Sequence, residues 1–315
     1  MRIQKVSIFV LNYNGVLLLD ECIPTILKSL KKTKFDTQFF LIDNRSTDES
    51  LSFMNTRFPE VPVLQAKENR FLCSFNDFVF QDHSDLVILM NNDIKVEEDF
   101  IDPIAEVFET KEDAFMGSSL CFDFTKVNYE GGLSVLTKRW GWWGTYSIQP
   151  EKSDDFSLTA SVGACIAFRR DRFVELGGFD ELYLPGTLED LDICYRGWKR
   201  GWKGYFVKES VIYHKGQASF RAKFGRPKIR EMATRNTLFF IWKNIHGTWF
   251  FAEHLICLGP RILYALLTAD LSFVKGVFQA FLGLPLVWNK REQCKREGKV
   301  SDQKILEIFK PVDIK

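Results

Sequence analysis

The sequence has no Cys-x-x-Cys pair. Its seven cysteines, Cys22, Cys73, Cys121, Cys165, Cys194, Cys257 and Cys294, are scattered and odd in number. That pattern excludes a disulfide framework or a zinc site as the organising principle and points to a reducing compartment. Glycine-rich phosphate loops are also missing: there is no G-x-G-x-x-G after the first apolar run and no G-x-x-x-x-G-K-S/T anywhere. Long uncharged runs are lacking too. Glu253, His254, Arg261, Asp270 and Lys275 interrupt the apolar C-terminal segments before 18 uncharged residues accumulate, so no transmembrane span is predicted, while helices lying on a membrane surface remain compatible. The opening "MRIQKVSIFVLNYN" has no long apolar core and no small-residue cleavage site, which predicts a protein that stays in the cytoplasm, where the inner face of the cell membrane is within reach. No internal repeat or low-complexity segment is present.

What is there is globular. Of 315 residues, 46% are hydrophobic and 26% charged, enough apolar material for one large domain with an appendage. The net charge of +1 hides an asymmetry, because residues 221–315 hold 17 Lys/Arg against 8 Asp/Glu. An acidic front joined to a basic tail argues against a nucleic-acid binder and gives the tail its own anionic partner.

Apolar runs that end abruptly in polar residues mark the organisation. "VSIFVL" breaks into "NYNG", "TQFFLID" ends at Asp43 and Asn44, and "LVILM" ends in Asn91, Asn92 and Asp93. With "VPVLQAK" these read as four buried strands of a mostly parallel sheet, alternating with helices. One helix carries Leu19, Ile23, Ile26, Leu27 and Leu30; another follows "RSTDES", where Ser46 and Glu49 fit a capping box; a third spans about 74–83. Residues 115–175 read as loops and short strands, with a short helix near 171–176. A helix from Leu188 to Gly201 buries Leu191, Cys194, Tyr195 and Trp198, and "GYFVKESVIYH" returns as strand. From about residue 229 the pattern is helical and aromatic. The fold class is therefore α/β, a Rossmann-like sheet sandwiched by helices, with a main domain at 1–228 (halves meeting near 95) and a helical extension at 229–315.

Ligands of open α/β sheets sit outside the carboxyl ends of the strands. Three polar strand ends on one edge, Asn12 to Asn14, Asp43 with Asn44, and Asn91 to Asp93, suggest a nucleotide. Without a phosphate loop, a divalent cation held by carboxylate is the natural counter-charge for a diphosphate.

The order "VSIFVLNYNG", "LIDNRSTDES", "ENRF", "LMNND", "SVGACIAFRR", "LGGFDE", "LEDLDICYRGWKRGW" and "VIYHKG" resembles the inverting family-2 glycosyltransferases of the GT-A fold. Within that family it looks closest to the rhamnosyltransferase-like branch that builds cell-surface polysaccharides. The resemblance runs from about residue 4 to 245. It implies that Asn91-Asn92-Asp93 stands at the D-x-D motif, with Asp93 as the one remaining carboxylate for Mg²⁺ or Mn²⁺ and His214 as a second ligand. Asn12, Asn14, Asp43, Asn44, Asp48 and Asn92 would face the nucleotide sugar, and Asn69 and Asn76 match a neighbouring motif whose usual glycines are absent here. Asp190 would be the general base and Glu189 would orient acceptor or loop, although Thr187 to Asp190 also resembles a capping box. The donor implied is dTDP-rhamnose or a UDP-hexose. The acceptor implied is a glycan or a polyprenyl-diphosphate-linked glycan, with "KREQCKREGK" as a membrane-docking segment. A sugar-1-phosphate nucleotidyltransferase would need a glycine-rich loop that "LNYNGVLLLDE" lacks. A relative that binds without turnover is the other reading, kept open by the lost first acid.

Overall fold

The computed structural model describes residues 2–150, 156–163, 165–216 and 218–309. In chain order the elements are β1 (Lys5–Asn12), α1 (Val16–Lys32), β2 (Asp36–Asp43), α2 (Ser50–Arg57), β3 (Val63–Gln65), α3 (Phe75–Val79), β4 (Leu86–Asn91), β5 (Ile94–Val96), α4 (Ile101–Thr110), β6 (Ala114–Asp123), β7 (Tyr129–Gly131), β8 (Ser134–Arg139), β9 (Trp142–Ser147), β10 (Phe156–Leu158), β11 (Cys165–Arg169), α5 (Arg170–Glu175), α6 (Glu189–Arg200), β12 (Lys203–His214), α7 (Ala218–Asn244), α8 (Thr248–Leu267), α9 (Leu271–Leu282), α10 (Leu284–Glu297) and α11 (Asp302–Ile308). The chain forms two interleaved compact units. One comprises residues 1–134, 147–179 and 202–216, the other residues 135–146, 180–201 and 217–315.

The first unit holds the large sheet, ordered β10-β12-β6-β11-β4-β1-β2-β3 with β5 beside β12 and β7 beside β6. As the apolar runs predict, β3, β2, β1 and β4 are parallel. β4 is apolar on both faces because helices cover both, and Leu86 to Met90 are fully buried. Each such side chain contributes about 1.5–3 kcal/mol of burial. On α1, Leu19, Ile23 and Ile26 are buried and Leu27 and Leu30 pack beside them.

Three local readings are corrected. The reading of residues 115–175 as loops and short strands fits β7 to β11 but not the ten-residue β6, which lies in the sheet between β12 and β11. Gly117, Ser118 and Ser119 blur its strand signal, but a Cβ on Gly117 would come within 3.0 Å of Ile104 on α4, so the helix requires a small residue there. The Ser46–Glu49 capping box does not form: α2 starts at Ser50, and the Ser46 hydroxyl accepts from Asn12 and Asn14 instead. The helix expected over 74–83 ends at Val79.

The second unit carries α6, most of the β8–β9 hairpin and the helices α7 to α11, with α7 broken at Gly225 (φ +70°). The rule that no segment reaches membrane-span character also needs revision. α8 is 20 residues long and apolar enough to cross a membrane by length and composition. Its two charged residues have partners within the second unit: Glu253 pairs with Lys138, and Arg261 donates to the carbonyl of Arg139.

Candidate active site

In the first unit the three polar strand ends converge as predicted. β1 and β2 pair through Asn12 and Asp43, and β1 and β4 through Leu11 and Asn91, so the parallel register sets these ends side by side. The Asn12 amide donates to Ser46 Oγ (3.2 Å), and its Oδ1 accepts from Asn92 Nδ2 at 2.6 Å. Gly15 makes this possible, because a Cβ there would lie 2.0 Å from Asn92 Nδ2. Asn14, in the left-handed region at φ +50°, accepts from the backbone N–H groups of Thr47 (2.7 Å) and Asp48 (3.3 Å). Buried Asp43 accepts from Ser46 N, and Asp48 accepts from Val16 N and Ser50 N. Asn44 donates to Asn69 Oδ1 (3.0 Å) and accepts from Ser74 Oγ (2.7 Å).

Asn76 is not brought to this cluster. Its amide pairs at both edges with the backbone of Phe179, donating to the carbonyl at 2.8 Å and accepting from the N–H at 3.0 Å. That clamp occupies the group that the motif comparison places beside the nucleotide.

Asp93 and His214 do meet. Antiparallel pairing of β12 with β5 sets His214 opposite Ile94, the residue after Asp93. The His214 Nε2 lies 3.3 Å from Asp93 Oδ2, and its Nδ1 lies 2.9 Å from Glu130 Oε2. Asp93 Oδ1 is buried without a hydrogen-bond partner. Burial lowers the His214 pKa, but the hydrogen bonds and charges of Asp93 and Glu130 outweigh it, and the net shift is upward. An orphaned carboxylate oxygen beside an imidazole, with a second carboxylate on the other ring nitrogen, fits a divalent cation. Cys121 adds a thiol within 4.8 Å of the Glu130 and His214 ligand atoms. Sequence reasoning missed Glu130 and Cys121. Neither lies in a motif: the parallel β6–β12 pairing, with Cys121 opposite Ile212, brings Cys121 near His214, and the β6–β7 pairing, with Cys121 opposite Gly131, brings Glu130 there.

In the second unit Glu189 and Asp190 open α6. The capping-box reading fails, since no side chain caps this helix and its N-cap residue is Leu188. Thr187 and Leu188 both occupy the left-handed region (φ +74° and +68°), a conformation that costs about 1–3 kcal/mol per residue and clusters at functional sites. Asn236 on α7 braces this turn, its amide donating to the carbonyls of Gly186 (2.7 Å), Tyr183 (2.8 Å) and Thr187 (2.9 Å). A buried asparagine in the aromatic stretch "RNTLFFIW" was the available signal for it. Burial first, then the charge of Asp190, pushes the Glu189 carboxyl up to about 8. Burial also raises Asp190, while the Leu191 N–H, donating to it at 2.8 Å, pulls the other way. Glu189 Oε2 is buried and has no partner. Both carboxyls are thus shifted upward, and the two titrate as a coupled pair.

Beneath the pair, Asp192 is wholly buried. It receives Lys243 (2.8 Å), Tyr183 (2.7 Å), Asn244 (2.8 Å) and Arg196 (2.7 Å), and Lys243 also bridges to Asp180 at 2.7 Å. Asp180 in turn caps the turn at Leu182. This network fixes the segment leading to Glu189.

Comparison with solved structures gives the class. The fold is that of GT-A glycosyltransferases: it matches GalNAc-T7 solved with UDP, GalNAc and Mn²⁺ (TM-score 0.68, 16% identity, 97% of this chain and 56% of that one). It also matches the mannosyltransferase PcManGT of Pyrobaculum calidifontis in complex with GDP-Man and Mn²⁺ (TM-score 0.54, 15% identity, 98% of this chain and 86% of that one). The family model for glycosyl transferase family 2 matches residues 7–177, and the chain belongs to that family. Among curated relatives, an N-acetylglucosaminyl-diphospho-decaprenol L-rhamnosyltransferase of Mycobacterium tuberculosis is 32% identical over 90 residues, 28% of this chain. A probable N-acetylgalactosaminyltransferase 9 of Caenorhabditis elegans is 25% identical over 175 residues, 52% of this chain. The matched regions span about a quarter of these relatives' length (27% and 28%).

Proposed function

We propose that the protein is an inverting glycosyltransferase. It moves a sugar from a nucleotide-sugar donor, of the dTDP-rhamnose or UDP-hexose type, to a glycan or polyprenyl-diphosphate-linked glycan in cell-surface polysaccharide synthesis, and it works at the inner face of a membrane. The observation that carries the reading is the buried, partnerless Asp93 oxygen beside His214 at the carboxyl edge of the sheet. The rhamnosyltransferase relative, which by its name acts on a decaprenol-diphosphate-linked sugar, favours the donor and acceptor classes.

Asp93 and His214 would hold Mg²⁺ or Mn²⁺, which supplies Lewis-acid compensation for the charge of the departing nucleoside diphosphate. Asn12, Asn14, Asp43, Asn44 and Asp48 form the wall that faces base and ribose. Asp190 takes the proton of the acceptor hydroxyl as that oxygen attacks the anomeric carbon on the side opposite the nucleotide, which inverts the centre. Glu189, whose carboxyl is raised by burial and by the charge of Asp190, orients the acceptor or the loop beside that base.

The test is a donor-hydrolysis panel with Mg²⁺, with Mn²⁺ and with EDTA, run alongside Asp190→Asn. Metal-dependent release of one nucleoside diphosphate, reduced about 10²–10⁴-fold in the variant, is the expected outcome. If nucleotide sugars bind but none turns over, with or without a lipid-linked acceptor, the catalytically degenerate reading replaces this one.

A further inference from the structure

The helices α8 to α10 present an apolar surface that nothing among the described residues of the second unit covers. Trp249 (74% exposed), Ile256 (72%), Tyr264 (70%) and Leu267 (77%) on α8 are continuous in sequence with exposed Leu271, Phe278 and Leu282 on α9 and Leu286 and Trp288 on α10. Of the exposed residues from Thr248 to Asn289, Lys275 alone carries a charge. The polar residues of α8 face the other way. Glu253 accepts from Gly141 N (3.0 Å), and His254 bonds Trp242 Nε1 (3.0 Å) and the Gly141 carbonyl (2.9 Å). With Phe250, Leu258 and Ala265 buried on that same side, α8 is anchored along one stripe and bare along the opposite one. α9 and α10 bend by 66° at Gly283, so the pair does not continue as one straight span.

We infer that this face is a monotopic membrane anchor, lying in the boundary between headgroups and acyl chains of an anionic bilayer. A face with one exposed charge, Lys275, and aromatic residues on it suits that boundary, where Trp and Tyr are favoured. The electrostatics select the occupant. Lys223 and Arg226 are exposed at the start of α7, where Lys228 and Arg230 are also exposed but paired with Glu231 and Asp270, and exposed Lys295, Arg296 and Lys299 follow Glu292 on α10 and beyond it. Two basic borders around a face whose one exposed charge is Lys275 complement negatively charged lipid, whereas a second copy of this chain would bring the same positive borders together. The borders touch the face directly: Lys228 and Arg235 line a cavity of about 450 Å³ together with Pro185, Met232, Phe239 and Leu282, and Leu282 also belongs to the exposed face. The anchor deepens the proposed function by naming the surface that meets the acceptor's membrane, and it moves the contact from "KREQCKREGK" alone to the α8–α9 face with that segment as its rim.

The experiment is vesicle co-flotation of the full chain with phosphatidylcholine vesicles, with and without phosphatidylglycerol, together with sedimentation in lipid-free buffer. The wild type is expected to float with the anionic vesicles and several-fold less with neutral ones. Leu263→Glu/Leu267→Glu/Phe278→Glu, all at exposed positions, is expected to lose binding on the order of tenfold or more while donor hydrolysis is unchanged. That readout separates this inference from the catalytic one. Absence of vesicle binding, equal binding by the triple variant, or a lipid-free dimer that the triple variant dissolves would each overturn it.

Discussion

His214 is gripped at both ring nitrogens, by Asp93 Oδ2 at 3.3 Å and by Glu130 Oε2 at 2.9 Å. In that arrangement Glu130 sets the ring's orientation and tautomer so that Nε2, on the Asp93 side, is free to ligate. Partners of this kind are typically worth 10–100-fold in metal affinity. Glu130→Ala should therefore weaken Mn²⁺ binding by about that factor, with Glu130→Gln, which keeps a hydrogen-bonding group, intermediate. Calorimetric titration with Mn²⁺ alone reads the effect without turnover. Equal affinity in wild type and Glu130→Ala would remove Glu130 from the site.

The raised Glu189 carboxyl makes stability depend on pH with a definite sign. Its folded pKa, about 8, exceeds the ordinary value of 4.5, so the folded state holds a proton that the unfolded chain releases. Stability is highest in this respect below 4.5 and declines as pH rises from 4.5 to about 8. Glu189→Gln, neutral at every pH, lacks that decline. Thermal melts at pH 5, 7 and 9 should show the variant gaining on the wild type as pH rises. A constant difference across the three would contradict the buried, protonated state.

Lys243 should be the most costly single loss in the second unit. It is 2% exposed at its side chain and bridges Asp180 and Asp192, whose carboxyls are both held below their ordinary range chiefly by its charge working against burial. Removing one partner of a buried pair typically costs about 3–5 kcal/mol, because the remaining charge is stranded. Lys243→Met should lower urea stability by that order, and adding Asp192→Asn should return part of it. An additive double variant would mean that the two residues are not energetically coupled.

The strand ends were legible because parallel strands buried on both faces leave a long apolar signature, and the change to Asn and Asp after Leu11, Ile42 and Met90 is abrupt. Asp93 and His214 were legible through their motifs. Contacts made by pairing across long sequence distances were not. Glu130 reaches His214 across 84 residues, and no periodicity in "VNYEGG" announces it. β6 hid because packing against Ile104 requires Gly117, a residue that weakens a strand signal. The two capping boxes failed for a related reason: Ser46 and Thr187 spend their hydroxyls on Asn12, Asn14 and Asn236, bonds that only tertiary structure supplies. The apolar face of α8 was obscured because counting Glu253 and Arg261 along the sequence ignores which way they point.

Asn236 is predicted to position the catalytic turn without touching substrate. One amide group carries two hydrogens yet lies within bonding distance of the carbonyls of Tyr183, Gly186 and Thr187 and of the Thr187 hydroxyl, so it gathers the turn around a shared donor. The turn needs such a brace because Thr187 and Leu188 are held in a left-handed conformation that a free loop would leave. Asn236→Ala should let the turn relax, withdrawing Asp190 from its proposed working position while the residues of the first unit proposed to face the nucleotide stay as they are. The expected signature is a fall in kcat of about 10-fold or more, since small misplacements of a catalytic group are expensive, with nucleoside diphosphate affinity within about twofold of wild type. Asn236→Asp, which keeps the shape but replaces the donor with acceptors, should be no better than alanine. Full activity in Asn236→Asp would show that the amide's hydrogens are not what holds the turn.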